Sequence, residues 1–468
     1  MAMQRKDFNL IGLVPCVLVS LFFISTGLAQ ITWQRTYGGA SSDYGYSVQQ
    51  TTDGGYIVAG YTDSFGNSAQ VYLIKTDSLG DTLWTRTYGG SGDDFGMCVR
   101  QTTDVGYIIV GYTNSFGNGV QAYLIKTDSL GDTLWTKTYD EDTISEFGVS
   151  VRQTTDRGYI ITGWTYSDVN SREILLIKTD SLGSTLWTKT YGGAGRDRGR
   201  AVEQTQDGGY IIIGDINSPA DRDPVYLIKT DSLGDTLWTK IYGSDWHFGY
   251  SVQQTYEQGY IVAGGHDGNV YLVKTDSLGD TIWSKEFKWG TGAGAHCVKQ
   301  TTDHCYIIAG WGLKVIVPIE YYYLYLVKTD SLGDTLWSKV YGDGCSGQEG
   351  GAWCVQQTAD GGYILVGTES EQVYLVKTDQ NGNVAGIEEK KRAQHPSGIT
   401  DLMAFPNPFT FFTTIIGYEK AKFFVYDVSG RRVAIYPGNK IGFGLPSGVY
   451  FLIPEGKGFK PVRVVKMR

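Results

Sequence analysis

Lys75-Thr76-Asp77-Ser78-Leu79-Gly80-Asp81-Thr82-Leu83-Trp84-Thr85 decides how the chain is read, because it returns almost unchanged along its length. Lys-Thr-Asp begins again at Lys126, Lys178, Lys229, Lys274, Lys328 and Lys377, and the tryptophan returns at Trp135, Trp187, Trp238, Trp283 and Trp337. Successive tryptophans are 51, 52, 51, 45 and 54 residues apart. A period of this size defines a repeat architecture in which one unit cannot bury its apolar faces alone.

Each unit reads as four strands. In the first, Tyr46 to Thr51 is followed by an Asp53-Gly54-Gly55 hairpin turn of the Asp-Gly kind, then by Tyr56 to Tyr61. Val71 to Thr76 is the third strand, and Ser78-Leu79-Gly80-Asp81 turns the chain into the fourth, Thr82 to Tyr88. The two middle strands are apolar on both faces, as in sheets covered on both sides. Stacking such sheets around an axis supplies the cover, which predicts an all-β fold, a seven-bladed β-propeller. The Tyr-Ile strand occurs seven times, at Tyr56, Tyr107, Tyr159, Tyr210, Tyr260, Tyr306 and Tyr363. The first Trp strand, Ile31 to Tyr37, has no Lys-Thr-Asp before it, and Lys377-Thr378-Asp379 has no Trp strand after it. The N-terminal strand is therefore expected to complete the last blade and close the ring, removing its exposed edges.

The blade order resembles that of kelch-type propellers. The spacing Asp77-x-x-Gly80-x-x-x-Trp84 resembles the tryptophan-docking motif of quinoprotein-like propellers, which implies that each Trp packs between neighbouring blades. The turn is also similar to the Asp-box of sialidases, but Gly80 lies four residues before Trp84 instead of three.

Composition limits the function. Residues 30–386 carry 25 Lys+Arg against 42 Asp+Glu, a net −17, whereas residues 387–468 carry 13 against 6. So acidic a body argues against nucleic acid as partner. Arg5 and Lys6 precede an apolar run from Leu10 to Ile24 and a Gly27-Leu28-Ala29 end, the pattern of a signal peptide over residues 1–29. That run is shorter than the roughly 20 residues of a membrane-spanning helix, so no stable transmembrane segment is expected. Residues 387–400 read as a charged linker. Beyond it, Phe405-Pro406-Asn407-Pro408-Phe409, Phe423 to Val433, Pro446 to Leu452 and the terminal Val464 to Arg468 resemble the C-terminal sorting domain of the type IX (Por) secretion system. That resemblance covers 401–468 and implies a small β-sandwich, recognition by the secretion machinery and a secreted or cell-surface product.

Chemistry is harder to locate. The Asp77/Asp81 turn has too few oxygens for calcium, and Asp77 is expected to cap the turn with Gly80 at positive φ. The five histidines sit in no hydrolase or metalloprotease motif, and neither cofactor nor metal is expected. His296 and Cys297, as strand neighbours, are expected on opposite faces. Cys98, Cys297 and Cys354 take a repeat position that elsewhere holds Ser or Ala, and the exported context permits a Cys297–Cys305 or Cys345–Cys354 disulfide. Between blades, the Asp-Gly-Gly and Ser-Leu-Gly-Asp turns barely vary, while the opposite connections do, among them Leu313 to Tyr323. Trp246, His247, Trp289, Tyr321, Tyr322 and Tyr323 on that variable rim are the candidate ligand-binding residues. The expected function is a binding or adhesion module for a glycan or protein. The alternatives are a polysaccharide- or peptide-degrading enzyme and a structural surface component.

Overall fold

The computed structural model describes residues 30–384, except 118, 140–144, 167–170, 194, 217–223, 244–246, 317–318 and 347–349. Beyond them it describes 404–405, 413–415, 422–429, 431–438, 440–442, 444–454 and 462–466. The expected signal peptide and linker lie outside the described residues. The chain divides into two compact units, Met1–Ile387 and Glu388–Arg468.

Every described element of the first unit is a strand, and the strands form seven four-stranded antiparallel sheets, the pattern of a β-propeller. Sheet I runs Asp43–Gln50, Tyr56–Thr62, Gln70–Thr76 and Thr82–Tyr88 from inside outward. The innermost strands of sheets II to VII are Asp94–Gln101, Glu146–Gln153, Arg198–Gln204, His247–Gln254, Gly292–Gln300 and Gly351–Gln357. The outermost strand of sheet VII is N-terminal: Trp33–Tyr37 pairs antiparallel with Gln372–Thr378, Trp33 opposite Lys377.

Apolar side chains fill the spaces between successive sheets. Ile57 and Leu73 of sheet I meet Val99 and Ile109 of sheet II, and the same arrangement recurs round to sheet VII, where Val366 and Tyr363 meet Val48 and Val58 of sheet I. This is why the middle strands are apolar on both faces.

The repeated motif locks these contacts from outside. Asp77 Oδ1 accepts from the N–H groups of Leu79 and Asp81, and Gly80 is left-handed at φ +80°. The Trp33 ring of the neighbouring sheet lies on that glycine, where an added Cβ would fall 2.9 Å from it. Trp84 covers Gly131 in the same way, Trp135 Gly183, Trp187 Gly234, Trp238 Gly279, Trp283 Gly333 and Trp337 Gly382. Tyrosines at the ends of the same outer strands donate to the carbonyls of these glycines, Tyr37 to Gly80 at 2.6 Å and Tyr88 to Gly131 at 2.7 Å. Sheet V has Phe287 at that position and lacks the hydroxyl.

The lysine of the motif explains the other turn. Lys75 is 3% exposed, and its Nζ lies 2.9 Å from Asp53 Oδ2 and 2.9 Å from the carbonyl of Thr76. Asp53 Oδ1 also accepts from the Gly55 N–H and the Thr51 hydroxyl. The turn is a three-residue loop with its third residue left-handed, longer than a two-residue Asp-Gly turn. The left-handed position is glycine in sheets I, IV and VII (Gly54, Gly208, Gly361) but Val105 (φ 66°), Arg157, Gln258 and His304 in the others.

The second unit holds a three-stranded sheet, Ala404–Phe405, Thr413–Ile415 and Lys440–Ile441, and a four-stranded sheet of Arg432–Pro437, Lys422–Asp427, Gly448–Pro454 and Val462–Lys466. Phe423, Val425, Ile441, Leu452 and Val464 form its core.

Trp135→Ala is expected to lower stability by about 3 kcal/mol, the lower end for a packed tryptophan because one face stays wet. Leu134→Ala next to it, at a site 58% exposed, stays within about 0.5 kcal/mol of the parent in urea denaturation. Val105→Gly is expected to stabilise by about 1 kcal/mol, since a β-branched residue at positive φ is strained and glycine is not. An unchanged or lower urea midpoint for Val105→Gly would refute that reading.

Candidate functional site

The seven innermost strands share an irregularity that determines what lines the axis. Their pairing with the second strand skips one residue, between Gly45 and Ser47 in sheet I, Gly96 and Cys98 in sheet II, and so on to Ala352 and Cys354 in sheet VII. In sheets I to V the preceding residue is glycine, which allows close packing: a Cβ on Gly45 would lie 2.6 Å from Val366 of sheet VII. Such a bulge turns two successive residues to the same side. His296 and Cys297 therefore both face the channel, where strict alternation would have separated them. The described cysteines, Cys98, Cys297, Cys305, Cys345 and Cys354, are all free thiols, so neither expected disulfide forms.

The skipped residues Tyr250, His296, Trp353 and Tyr46, from sheets V, VI, VII and I, make an aromatic arc at one level of the channel. Trp353 stacks on His296 with centroids 4.0 Å apart and planes 4° apart. Tyr46 meets Trp353 edge-on at 5.3 Å, Tyr250 meets His296 at 5.0 Å, and Arg200 lies 5.0 Å over the Tyr250 ring. A cavity of about 150 Å³ opens here, floored by the small Ser, Ala and Cys side chains of the next position. His296 Nδ1 faces the Ala352 carbonyl at 3.2 Å, but burial, with Arg200 adding to it, pushes the imidazole down to about 4.

Two residues further along, nearer the Asp-Gly-Gly turns, a second cavity of about 320 Å³ is ringed by one residue from each strand. These are Gln49, Arg100, Arg152, Glu203, Gln253, Lys299 and Gln356. Glu203 Oε1 lies 2.9 Å from Lys299 Nζ and 3.5 Å from Arg152 Nη2. Burial works against the ionised carboxyl, but Lys299, Arg152 and Arg100 together hold it below the usual carboxylate range. Beyond this ring the following glutamines join the sheets. The backbone N–H of Thr52 donates to Gln101 Oε1, Thr103 to Gln153, Thr155 to Gln204, Gln206 to Gln254, Tyr256 to Gln300 and Thr302 to Gln357. Ala359 donates to Gln50 at 2.8 Å, which brings the series back to sheet I.

The candidate rim residues are dispersed. Trp246 lies outside the described residues. His247 is 5% exposed and stacks on His266 at 3.6 Å, with Tyr271 edge-on. Glu286 Oε1 is 3.0 Å from His266 Nδ1, and one ligand atom from each of His247, His266 and Glu286 lies within 4.8 Å of the others. Imidazole lone pairs lie in the ring plane, so the stacked rings direct them in parallel and not toward one point. Leu313 to Tyr323, read as a variable loop, is mostly strand: Tyr306–Ile316 and Ile319–Thr329 pair along their length. Period two then splits the tyrosines. Tyr323 packs on Trp289 at 5.8 Å, Tyr322 packs on Trp311 at 5.7 Å, and Tyr321 is half-buried opposite Lys314.

The channel residues were missed although a signal was present. Each inner strand reads Val-x-Gln-Thr, and x runs Gln, Arg, Arg, Glu, Gln, Lys, Gln between near-constant neighbours.

No protein-family model and no curated protein matches the chain. Among solved structures it is similar to PorZ, an essential bacterial surface component of the type IX secretion system of Porphyromonas gingivalis, at 12% identity over 89% of this chain, with a TM-score of 0.43. The chain spans 58% of PorZ. It is also similar to Sqt1 from Chaetomium thermophilum, at 10% identity over 74% of this chain and 99% of that one, with a TM-score of 0.45. A protein of unknown function from Dyadobacter fermentans gives 10% identity, 74% and 97% coverage and a TM-score of 0.41. Likenesses this distant decide nothing about ligand or partner. Among the described residues no helix is long and apolar enough to cross a membrane.

His296 makes the channel acid-sensitive. Its pKa is about 4 when folded against an ordinary 6.5, so the unfolded chain binds the proton more readily. The stability this neutral ring contributes is complete above pH 6.5 and is lost as pH falls toward 4. Between pH 7 and pH 5 the melting temperature is therefore expected to drop further in the parent than in His296→Gln. Equal drops would show that His296 plays no part.

Proposed function

We propose that the chain is an exported, closed seven-bladed propeller that acts outside the cell as a binding or adhesion module for a glycan or protein. In this reading residues 1–29 direct export and 401–468 present a sorting domain to the type IX secretion machinery, leaving the product secreted or on the cell surface. Kelch-like blade order and the tail motifs support these two parts.

The observation that carries the binding reading is the make-up of the axial channel. Its blade-specific positions hold aromatic faces, glutamine amides and cations, groups suited to stacking and hydrogen bonding. Glu203, the carboxylate that lines it, is kept ionised by three cations and is thereby a weak base and a poor proton donor. Recognition fits this chemistry better than proton transfer does.

The test is a glycan-array screen of the exported protein with and without calcium, repeated with Trp353→Ala and Trp289→Ala. A specific hit weakened tenfold or more by Trp353→Ala is the expected result. A hit lost only in Trp289→Ala would move the site to the rim. A blank in both conditions would sink the glycan version and leave a protein ligand.

A further inference from the structure

We infer that the channel binds a small oxyanion, the carboxylate, sulfate or phosphate group of a ligand, between Arg100, Arg152 and Lys299. The inference rests on reading the channel as a binding site and names the chemistry of what enters it.

Residues 30–386 carry a net −17, yet three cations from sheets II, III and VI converge on one cavity. Glu203 is the carboxylate lining it, and Lys299 and Arg152 already share one oxygen of that group. Among the described residues Arg100 pairs with no carboxylate. Its Nη1 donates to the Val99 carbonyl at 2.6 Å and to Ser47 Oγ at 3.2 Å. A guanidinium has five N–H donors in a fork that matches an oxyanion, so Nε and Nη2 are left for whatever fills the cavity.

Three positive charges against one leave an excess of two in a space walled by packed strands. Cations crowded into a half-buried space are unfavourable, and a bound anion offsets one or both of the excess charges. The thiol of Cys98 registers the same field. Burial acts to raise its pKa, but Arg100 and Arg152 hold it below the ordinary range. Gln49, Gln253 and Gln356 complete the ring with groups that both donate and accept, as a hydroxylated ligand would require. The volume of about 320 Å³ lies at the lower end of small-ligand pockets, roughly 300–1,000 Å³, room for about one sugar of a ligand.

The experiment is calorimetric titration of the intact protein with sulfate, phosphate, glucuronate and glucose, ionic strength being held constant with sodium chloride. The three anions are expected to bind and glucose is not. Preference for glucuronate over the inorganic ions would identify an acidic sugar as the source of the anion, and the reverse order would identify a free ion. Arg100→Gln is expected to weaken the anions tenfold or more. Glu203→Gln is expected to tighten them, because it removes the carboxylate that competes for Lys299 and Arg152. Each variant's melting curve verifies folding, and Lys299→Gln replaces Arg100→Gln if the latter does not fold. Anions that bind no better than glucose, in the parent and in Glu203→Gln alike, would overturn the proposal. A surface ligand held equally well by the parent and Arg100→Gln would remove the channel site and leave the binding-module reading standing. Anion binding lost in Arg100→Gln, with no hit in the glycan screen, would uphold the channel site and remove the glycan reading.

Discussion

An indole lying flat on a glycine of the next sheet is the contact on which the rest of this structure depends. Trp84 can cover Gly131 only because that residue has no Cβ, and Gly131 can sit at φ 81° for the same reason. One residue type therefore meets two demands, the left-handed turn and the close approach of a neighbouring ring. Asp128 holds that turn in shape by accepting from Leu130 and Asp132, and Tyr88 binds the glycine carbonyl. The tyrosine is the dispensable member: with Phe287 in its place, Trp283 still lies on Gly333.

This outer belt has an inner counterpart. The glutamines that accept from the turn of the preceding sheet join the sheets close to the axis, while the tryptophans join them at the periphery. Between the two belts lie the apolar strands whose faces no single sheet could bury. With both belts repeated from sheet to sheet, the residues just inside the glutamines are released from structural duty. There the blades differ in charge: Arg100 and Arg152 in two successive sheets, Glu203 in the next, Lys299 two sheets later. One level of sheet-specific chemistry is thus a ring whose walls are held by repeated hydrogen bonds.

Much of the architecture was legible because its determinants are local. The hairpin at Asp77–Asp81 needs an acceptor side chain at its first position and a φ-permissive residue at its fourth, and both can be read within five letters. The pairing of Trp33–Tyr37 with Gln372–Thr378 was legible by counting, since one strand lacked a predecessor and another a successor. The site was less legible. The expectation that His296 and Cys297 point apart followed from strand alternation, and a one-residue bulge reversed it. Tyr321, Tyr322 and Tyr323 looked like one aromatic patch, but a continuous hairpin distributes them between two faces.

The sequence by itself determined the repeat, its seven copies and the Asp-Ser-Leu-Gly turns, because these depend on short-range hydrogen bonding and on φ. Only the tertiary structure decided that Arg100, Arg152, Glu203 and Lys299 meet. They lie in four different repeats, and nothing within a repeat states how far its inner edge stands from the others. Seven twisted sheets packed at the spacing that tryptophan and glycine allow bring those edges to a common axis. A charge difference spread over about two hundred residues of chain thereby becomes a difference across a single cavity.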